Sequence, residues 1–204
     1  METKIVKFDD KEVIKSIQNG EVVAFPTETV YGLGVRYDNY EAFKKLVEVK
    51  RRPPEKPFTL MGGNSFKFED FAELDDKALE LIKKYVPGPI TLLCKPKKGL
   101  YKHVTLNSPA IGIRVSGDEK LRSFIDSVGV PLLVPSANKS GEPPLINSKD
   151  VYEVFNGEIP FVIDDVCNGG LPSTIVDIST PNTIKLIRQG DIPFDEIKNF
   201  YEKA

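Results

Sequence analysis

The sequence has no tryptophan, one histidine and two cysteines in 204 residues. A single histidine excludes any zinc site built on a histidine cluster. A Ser/His/Asp triad would have to run through His103, in the polar, Lys-rich stretch KKGLYKHVT. That setting reads as an exposed side chain rather than a catalytic base. Cys94 and Cys167 lack CxxC spacing, so neither a disulfide framework nor a thiolate metal site is indicated. Without tryptophan, aromatic stacking falls to tyrosine and phenylalanine.

Long apolar runs are missing too, and nothing approaches the length of a bilayer span. The opening METKIVKFDDKEV is charged and has no signal-peptide apolar core, so a cytoplasmic protein with no membrane partner is expected. Lys and Arg total 28 against 30 Asp and Glu, a net charge of −2. The chain as a whole is therefore no basic nucleic-acid binder. There is no Walker A loop and no GxGxxG after a strand; Gly32-Leu33-Gly34 is only a GxG. Internal repeats and low-complexity segments are absent.

What remains is enough for a folded core: 40% of residues are hydrophobic and 28% charged. The periodicity alternates between helix-like and strand-like segments. Helices are predicted over Asp9–Gln18, Asn39–Val49, Asp75–Val86, Asp118–Val128 and Phe194–Tyr201, with Asp75 as a cap and Gly129 as a stop. Strands are predicted over Glu21–Phe25, Lys56–Met61, Ile90–Cys94, Ala110–Val115, Pro131–Val134, Phe161–Ile163, Ser173–Ile178 and Thr183–Ile187. Proline and glycine are spread throughout rather than gathered in a linker. The pattern predicts one mixed α/β domain over residues 1–204.

Charge is uneven along this chain. Leu81–Gly117 contains no Asp or Glu but carries Lys83, Lys84, Lys95, Lys97, Lys98, Lys102 and Arg114. A second basic cluster comprises Lys44, Lys45, Lys50, Arg51, Arg52 and Lys56, relieved by Glu48 and Glu55. Taken singly, each lysine reads as a solvated side chain.

Three segments carry candidate chemistry. PTETVYGLG (Pro26–Gly34) follows a strand that Pro26 ends. Its hydroxyls, and glycines that let the backbone turn or approach a ligand, suit a small polar molecule, as they equally suit an ordinary turn. Lys50-Arg51-Arg52-Pro53-Pro54 ends a helix. There the cations answer the macrodipole, or hold phosphate through an arginine fork and a lysine point charge. Ser136-Ala137-Asn138-Lys139-Ser140-Gly141 follows an apolar strand, where α/β sites commonly lie and where Ser/Asn/Gly turns are also common. Ser173 at a strand start and Arg188 before Gly190 say little alone.

In order, the strings PTETVYGLG, K-x-R-P, PGPITLL, IGIRV, PSANKSG, STIVD and IRQG resemble the YrdC/YciO family from Val22 to Ile192. The resemblance implies a twisted mixed-sheet α/β domain with a concave, positively charged groove. It implies an L-threonylcarbamoyladenylate synthase that joins L-threonine, bicarbonate and ATP, with Mg²⁺ accompanying the nucleotide, and releases pyrophosphate. The product would serve a downstream threonylcarbamoyl transferase complex acting on tRNA. By the same resemblance Lys50, Arg52, Lys56, Ser136, Asn138 and Arg188 face ATP, Lys50 and Arg52 being the catalytic pair. Thr29, Arg114 and Ser173 face threonine. No protein metal ligand is implied. Two positions depart from the synthase pattern: Lys56 stands where asparagine is usual, and Met61 where histidine is usual. The string FTLM also resembles the YciO branch, which leaves a different carbamoyl-type substrate as an alternative. A non-catalytic RNA-binding module using Leu81–Gly117 is the other.

Overall fold

The computed structural model describes residues 2–52, 56–167 and 171–204. Its helices are α1 (Lys11–Gln18), α2 (Tyr40–Lys50), α3 (Asp76–Tyr85), α4 (Lys102–Thr105), α5 (Glu119–Val128), α6 (Ser148–Phe155) and α7 (Phe194–Lys203). Its strands are β1 (Lys4–Val6), β2 (Val23–Phe25), β3 (Gly32–Arg36), β4 (Thr59–Gly62), β5 (Ala72–Glu73), β6 (Ile90–Pro96), β7 (Ile111–Val115), β8 (Leu132–Val134), β9 (Phe161–Ile163), β10 (Thr174–Asp177) and β11 (Lys185–Arg188).

Helices α1, α2, α3, α5 and α6 begin where a short polar side chain satisfies otherwise unpaired backbone amides. Asp10 accepts from Glu12 N, Asn39 from Ala42 N, Asp75 from Ala78 N, Asp118 from Lys120 and Leu121 N, and Asn147 from Asp150 N. Gly129 ends α5 in the left-handed region at φ 92°.

Among the described residues, ten strands form one mixed sheet in the order β1-β9-β2-β3-β8-β4-β7-β6-β10-β11, and β5 pairs with β6 off this path. Successive side chains alternate between the two sheet faces. Leu33, Leu60, Leu92, Ile113 and Leu133 pack on one face, under α2, α3, α6 and α7. On the other face Phe25, Met61 and Leu132 pack with Val13 and Ile17 of α1 and with Leu121 and Phe124 of α5. Helices α1 and α5 reach only part of that second face. Register places Met61 beside Arg114, and Ile175 beside both Thr91 and Arg188. This uncovered stretch of sheet is the floor of the site.

Strand β3 corrects the expectation for Gly32-Leu33-Gly34. These glycines lie in a strand rather than a turn; Gly32 still lines the site, and both allow close packing. A Cβ on Gly34 would stand 2.4 Å from Phe25 Cε1, and one on Gly32 would stand 2.7 Å from Val134 Cγ1. The flat backbone leaves room for the Phe25 ring. Strand β1 and helices α4 and α6 were not expected either.

Candidate active site

A cavity of about 340 Å³ opens where strands end: after β2 and β8, before β3 and β10, and at the end of β11. Lys50, Arg52, Arg114 and Arg188 all line it, and no carboxylate does among the described residues. Thr27, Thr29, Thr91, Ser136, Asn138 and Ser173 add short polar groups. Such a lining suits a ligand that is anionic and rich in hydrogen-bonding groups.

At one end, Thr27–Val30 is a turn closed by its own hydroxyl. Thr27 Oγ1 lies 2.8 Å from the Val30 carbonyl oxygen, which only accepts, so the Thr27 proton goes there. In the 2.9 Å contact between Thr27 and Thr29 the donor is therefore Thr29. Thr29 Oγ1 in turn accepts from Arg114 Nη2 at 3.1 Å. The same Nη2 pairs with Glu28 Oε1 at 2.9 Å, and both side chains are largely buried. Glu28 also accepts from the Ser116 hydroxyl, and from Gly117 N at 2.8 Å. Burial works to raise the Glu28 pKa, but Arg114 and these hydrogen bonds outweigh it and hold the carboxyl below its usual range. Arg114 Nε is buried and makes no hydrogen bond among the described residues.

At the other end, the K-x-R spacing has a geometric meaning. Lys50 is the last residue of α2, and Arg51 takes the left-handed conformation at φ 51°. That reversal sends Arg51 outward to Glu158, 3.2 Å away, and leaves both Lys50 and Arg52 lining the cavity. Arg52 lies over the Phe58 ring, 5.4 Å from its centroid. Lys50 is only 3% exposed. Its Nζ donates to Ser136 O at 2.6 Å, Asn138 O at 2.8 Å and Asn138 Oδ1 at 2.6 Å. Those bonds use all three ammonium protons. Burial, with Arg52 nearby, lowers the Lys50 pKa to about 8. Asn138 is fixed further, because Ser136 donates to its Oδ1 and its Nδ2 donates to Lys139 O and Glu142 O. Lys50 thus first builds the 136–141 loop, and Arg52 is the freer cation of the pair.

The third wall comes from the C-terminal strands. Ser173 Oγ and Thr91 Oγ1 are 2.8 Å apart, and Arg188 Nη2 donates to Ser173 O at 2.9 Å and to its Oγ at 3.2 Å. Burial of the guanidinium and its neighbour Arg114 both lower the Arg188 pKa. Gly190 lets the two segments meet, since a Cβ there would stand 2.1 Å from Pro172 O.

Eight of the nine sequence-derived site residues line this cavity: Thr29, Lys50, Arg52, Arg114, Ser136, Asn138, Ser173 and Arg188. Lys56 does not; it is exposed and lies outside the lining. Pro53, Pro54 and Glu55 lie outside the described residues. Met61 does line the cavity, buried beside its register partner Arg114. Sequence reading passed over the part played by Glu28, because its partners Arg114, Ser116 and Gly117 are remote in sequence. His103 is half-buried rather than exposed. Its Nε2 lies 2.7 Å from Tyr37 O, and its ring packs on Tyr40, Phe43 and Tyr101. The acid-free run is not one positive surface. Lys83 and Lys95 pair with Glu80 and Glu73 from outside it, and Arg114 turns inward.

Fold and cavity together define an α/β protein with a cationic ligand pocket at the strand ends of a mixed sheet. The Sua5/YciO/YrdC family model, described as "Telomere recombination", matches residues 15–190, and the chain belongs to this family. It is 33% identical over 184 residues to a threonylcarbamoyl-AMP synthase of Pyrococcus abyssi, spanning 89% of this chain and 54% of that one. A threonylcarbamoyl-AMP synthase of Vibrio campbellii is 31% identical over 88% of this chain and 98% of its own length. The crystal structure of P. abyssi Sua5 complexed with L-threonine superposes with a TM-score of 0.89 at 30% identity, covering 97% of this chain and 60% of that one. The chain thus spans about half the length of the P. abyssi relative and nearly all of the Vibrio one.

Proposed function

We propose that the protein is an L-threonylcarbamoyladenylate synthase, forming threonylcarbamoyl-AMP and pyrophosphate from L-threonine, bicarbonate and ATP. One observation carries this reading: four cations and no described carboxylate line a single pocket whose two ends differ in kind. The Lys50/Arg52 end, with the 136–141 loop, suits a nucleotide triphosphate. The Arg114/Thr29 end suits a small amino acid, with the guanidinium for its carboxylate and hydroxyls for its polar groups. The names of the relatives support the same assignment.

No protein nucleophile is needed. The threonine amine attacks the bicarbonate carbon; the bicarbonate hydroxyl leaves as water, carrying off an amine proton, and a carbamate remains. A carbamate oxygen attacks the α-phosphorus, and the bond to pyrophosphate breaks. Arg52 meets the charge that develops on the leaving group, and the rest of catalysis is positioning. Mg²⁺ enters as part of the ATP complex. The residues fit that arrangement, since the described lining offers cations and hydroxyls but no carboxylate to hold a metal. The product then serves a transferase acting on tRNA.

Met61 favours a second reading, in which the amino-acid end accepts another small acid. Its thioether replaces the family's usual histidine beside Arg114. The deciding experiment supplies purified protein with MgATP and bicarbonate, with and without L-threonine, and measures pyrophosphate and the adenylate. Threonine-dependent release is expected. ATP binding without such release overturns the synthase assignment and leaves the second reading.

A further inference from the structure

We propose that Glu28 is the positioning residue for Arg114, and that through it the pocket is set to receive a carboxylate. The inference rests on the reading that Arg114 meets the carboxylate of the amino-acid substrate. Glu28 does not line the cavity; it stands behind Arg114. Its two oxygens are held from the other side by the Ser116 hydroxyl and the Gly117 amide. The carboxylate is therefore fixed before it meets the arginine.

Arg114 needs such an anchor. It lines a pocket with three other cations, and its charge is felt at Arg188. A long, flexible side chain among like charges swings away unless held. Glu28 supplies the compensating charge, and Glu28 and Thr29 both engage the same nitrogen, Nη2. The rest of the fork is not spent on the protein, for Nε is buried and without a hydrogen bond among the described residues. With Nη2 engaged and Nε enclosed, Nη1 is the nitrogen left to meet a carboxylate in the cavity. Adjacent residues thus divide the work: Thr29 lines the pocket, and Glu28 fixes the arginine behind it.

The rival account is purely structural: Glu28 ties the β2–β3 turn to the segment before α5 and does no more. Two full-length variants separate these. Glu28→Gln keeps the shape but removes the charge facing Arg114. Ser116→Ala loosens the same carboxylate from behind and leaves the Arg114 contact in place. Two quantities are measured: KM for L-threonine and for ATP, and proton exchange at the Arg114 Nε–H by NMR without substrate, assigned by its loss in Arg114→Lys. The expected result is a rise in KM for threonine of roughly tenfold or more in Glu28→Gln, from loss of a charged hydrogen bond. KM for ATP should stay within about twofold, and Arg114 Nε–H exchange should accelerate. Ser116→Ala should lower the melting temperature comparably while changing KM for threonine much less. Equal effects of the two variants on KM for threonine, or unchanged Arg114 exchange in Glu28→Gln, overturn the proposal. Should Glu28→Gln fail to fold, Glu28→Asp carries the same test, with an intermediate rise expected and none overturning it. If wild-type protein shows no threonine-dependent turnover, the synthase reading fails, while the exchange measurement still decides whether Glu28 positions Arg114.

Discussion

Lys50 and Asn138 lie 88 positions apart in sequence and meet at two points, Nζ standing 2.6 Å from Oδ1 and 2.8 Å from the backbone oxygen. The contact joins the end of α2 to the loop after β8. It separates two lysine roles that sequence cannot distinguish, phosphate contact and loop construction.

Replacing Lys50 with Met should therefore cost stability as well as activity. It leaves Ser136 O and Asn138 O without their buried donor, a loss of about 2–4 kcal/mol. Thermal and urea unfolding of the variant should show a clear drop, with turnover near background.

Arg52→Ala should behave differently. Its contact over Phe58 is modest, so the melting temperature should move little. Turnover should fall about a hundredfold or more, as expected for removal of a charge-stabilising group. Full ATP-dependent turnover in this variant would remove Arg52 from the mechanism.

Protonation of Lys50 should be visible on ligand binding. Its folded pKa of about 8 lies below the ordinary lysine value of about 10.4. Between those values the unfolded chain binds more protons than the folded one, so Lys50's contribution to stability rises with pH across this window. Its penalty is fully present below pH 8. A bound triphosphate favours the ammonium and pulls a proton in. Calorimetric titration of ATP at pH 8, in buffers of different ionisation heat, should show net proton uptake that is absent near pH 6.5. Uptake independent of pH would point to another group.

Gly34→Ala should destabilise the fold by about 1–3 kcal/mol, because the new methyl meets the Phe25 ring. Adding Phe25→Leu should recover part of that loss. A double variant no better than the single one would show that ring contact is not the cause.

These cases mark what was legible along the chain. Helices α1, α2, α3 and α5 were readable because each couples an apolar stripe to a polar cap or stop, as Asp75 does for α3 and Gly129 for α5, and α7 was readable from its apolar stripe alone. Helix α6 carried comparable signals, Asn147 as cap and Val151 and Phe155 as its buried face, and could have been found. Strands β1 and β3 could not. Three residues, two of them exposed, carry too little pattern in β1, and GLGVR becomes a strand only because β2 and β8 flank it. Site residues were readable where a motif string fixed them, down to the K-x-R pair split by Arg51. What the string hid was partnership. Nothing near Glu28 in sequence indicates Arg114, and nothing near Lys50 indicates that its ammonium is already engaged.

The pocket draws on segments from Thr27 to Arg188, and β1 pairs with the distant β9 from Lys4↔Phe161 to Val6↔Ile163. A polypeptide emerging from the ribosome therefore holds no binding site until its last strand is out. Ligand affinity is a property of the finished molecule, and retention on an immobilised nucleotide would sort completed chains from truncated ones.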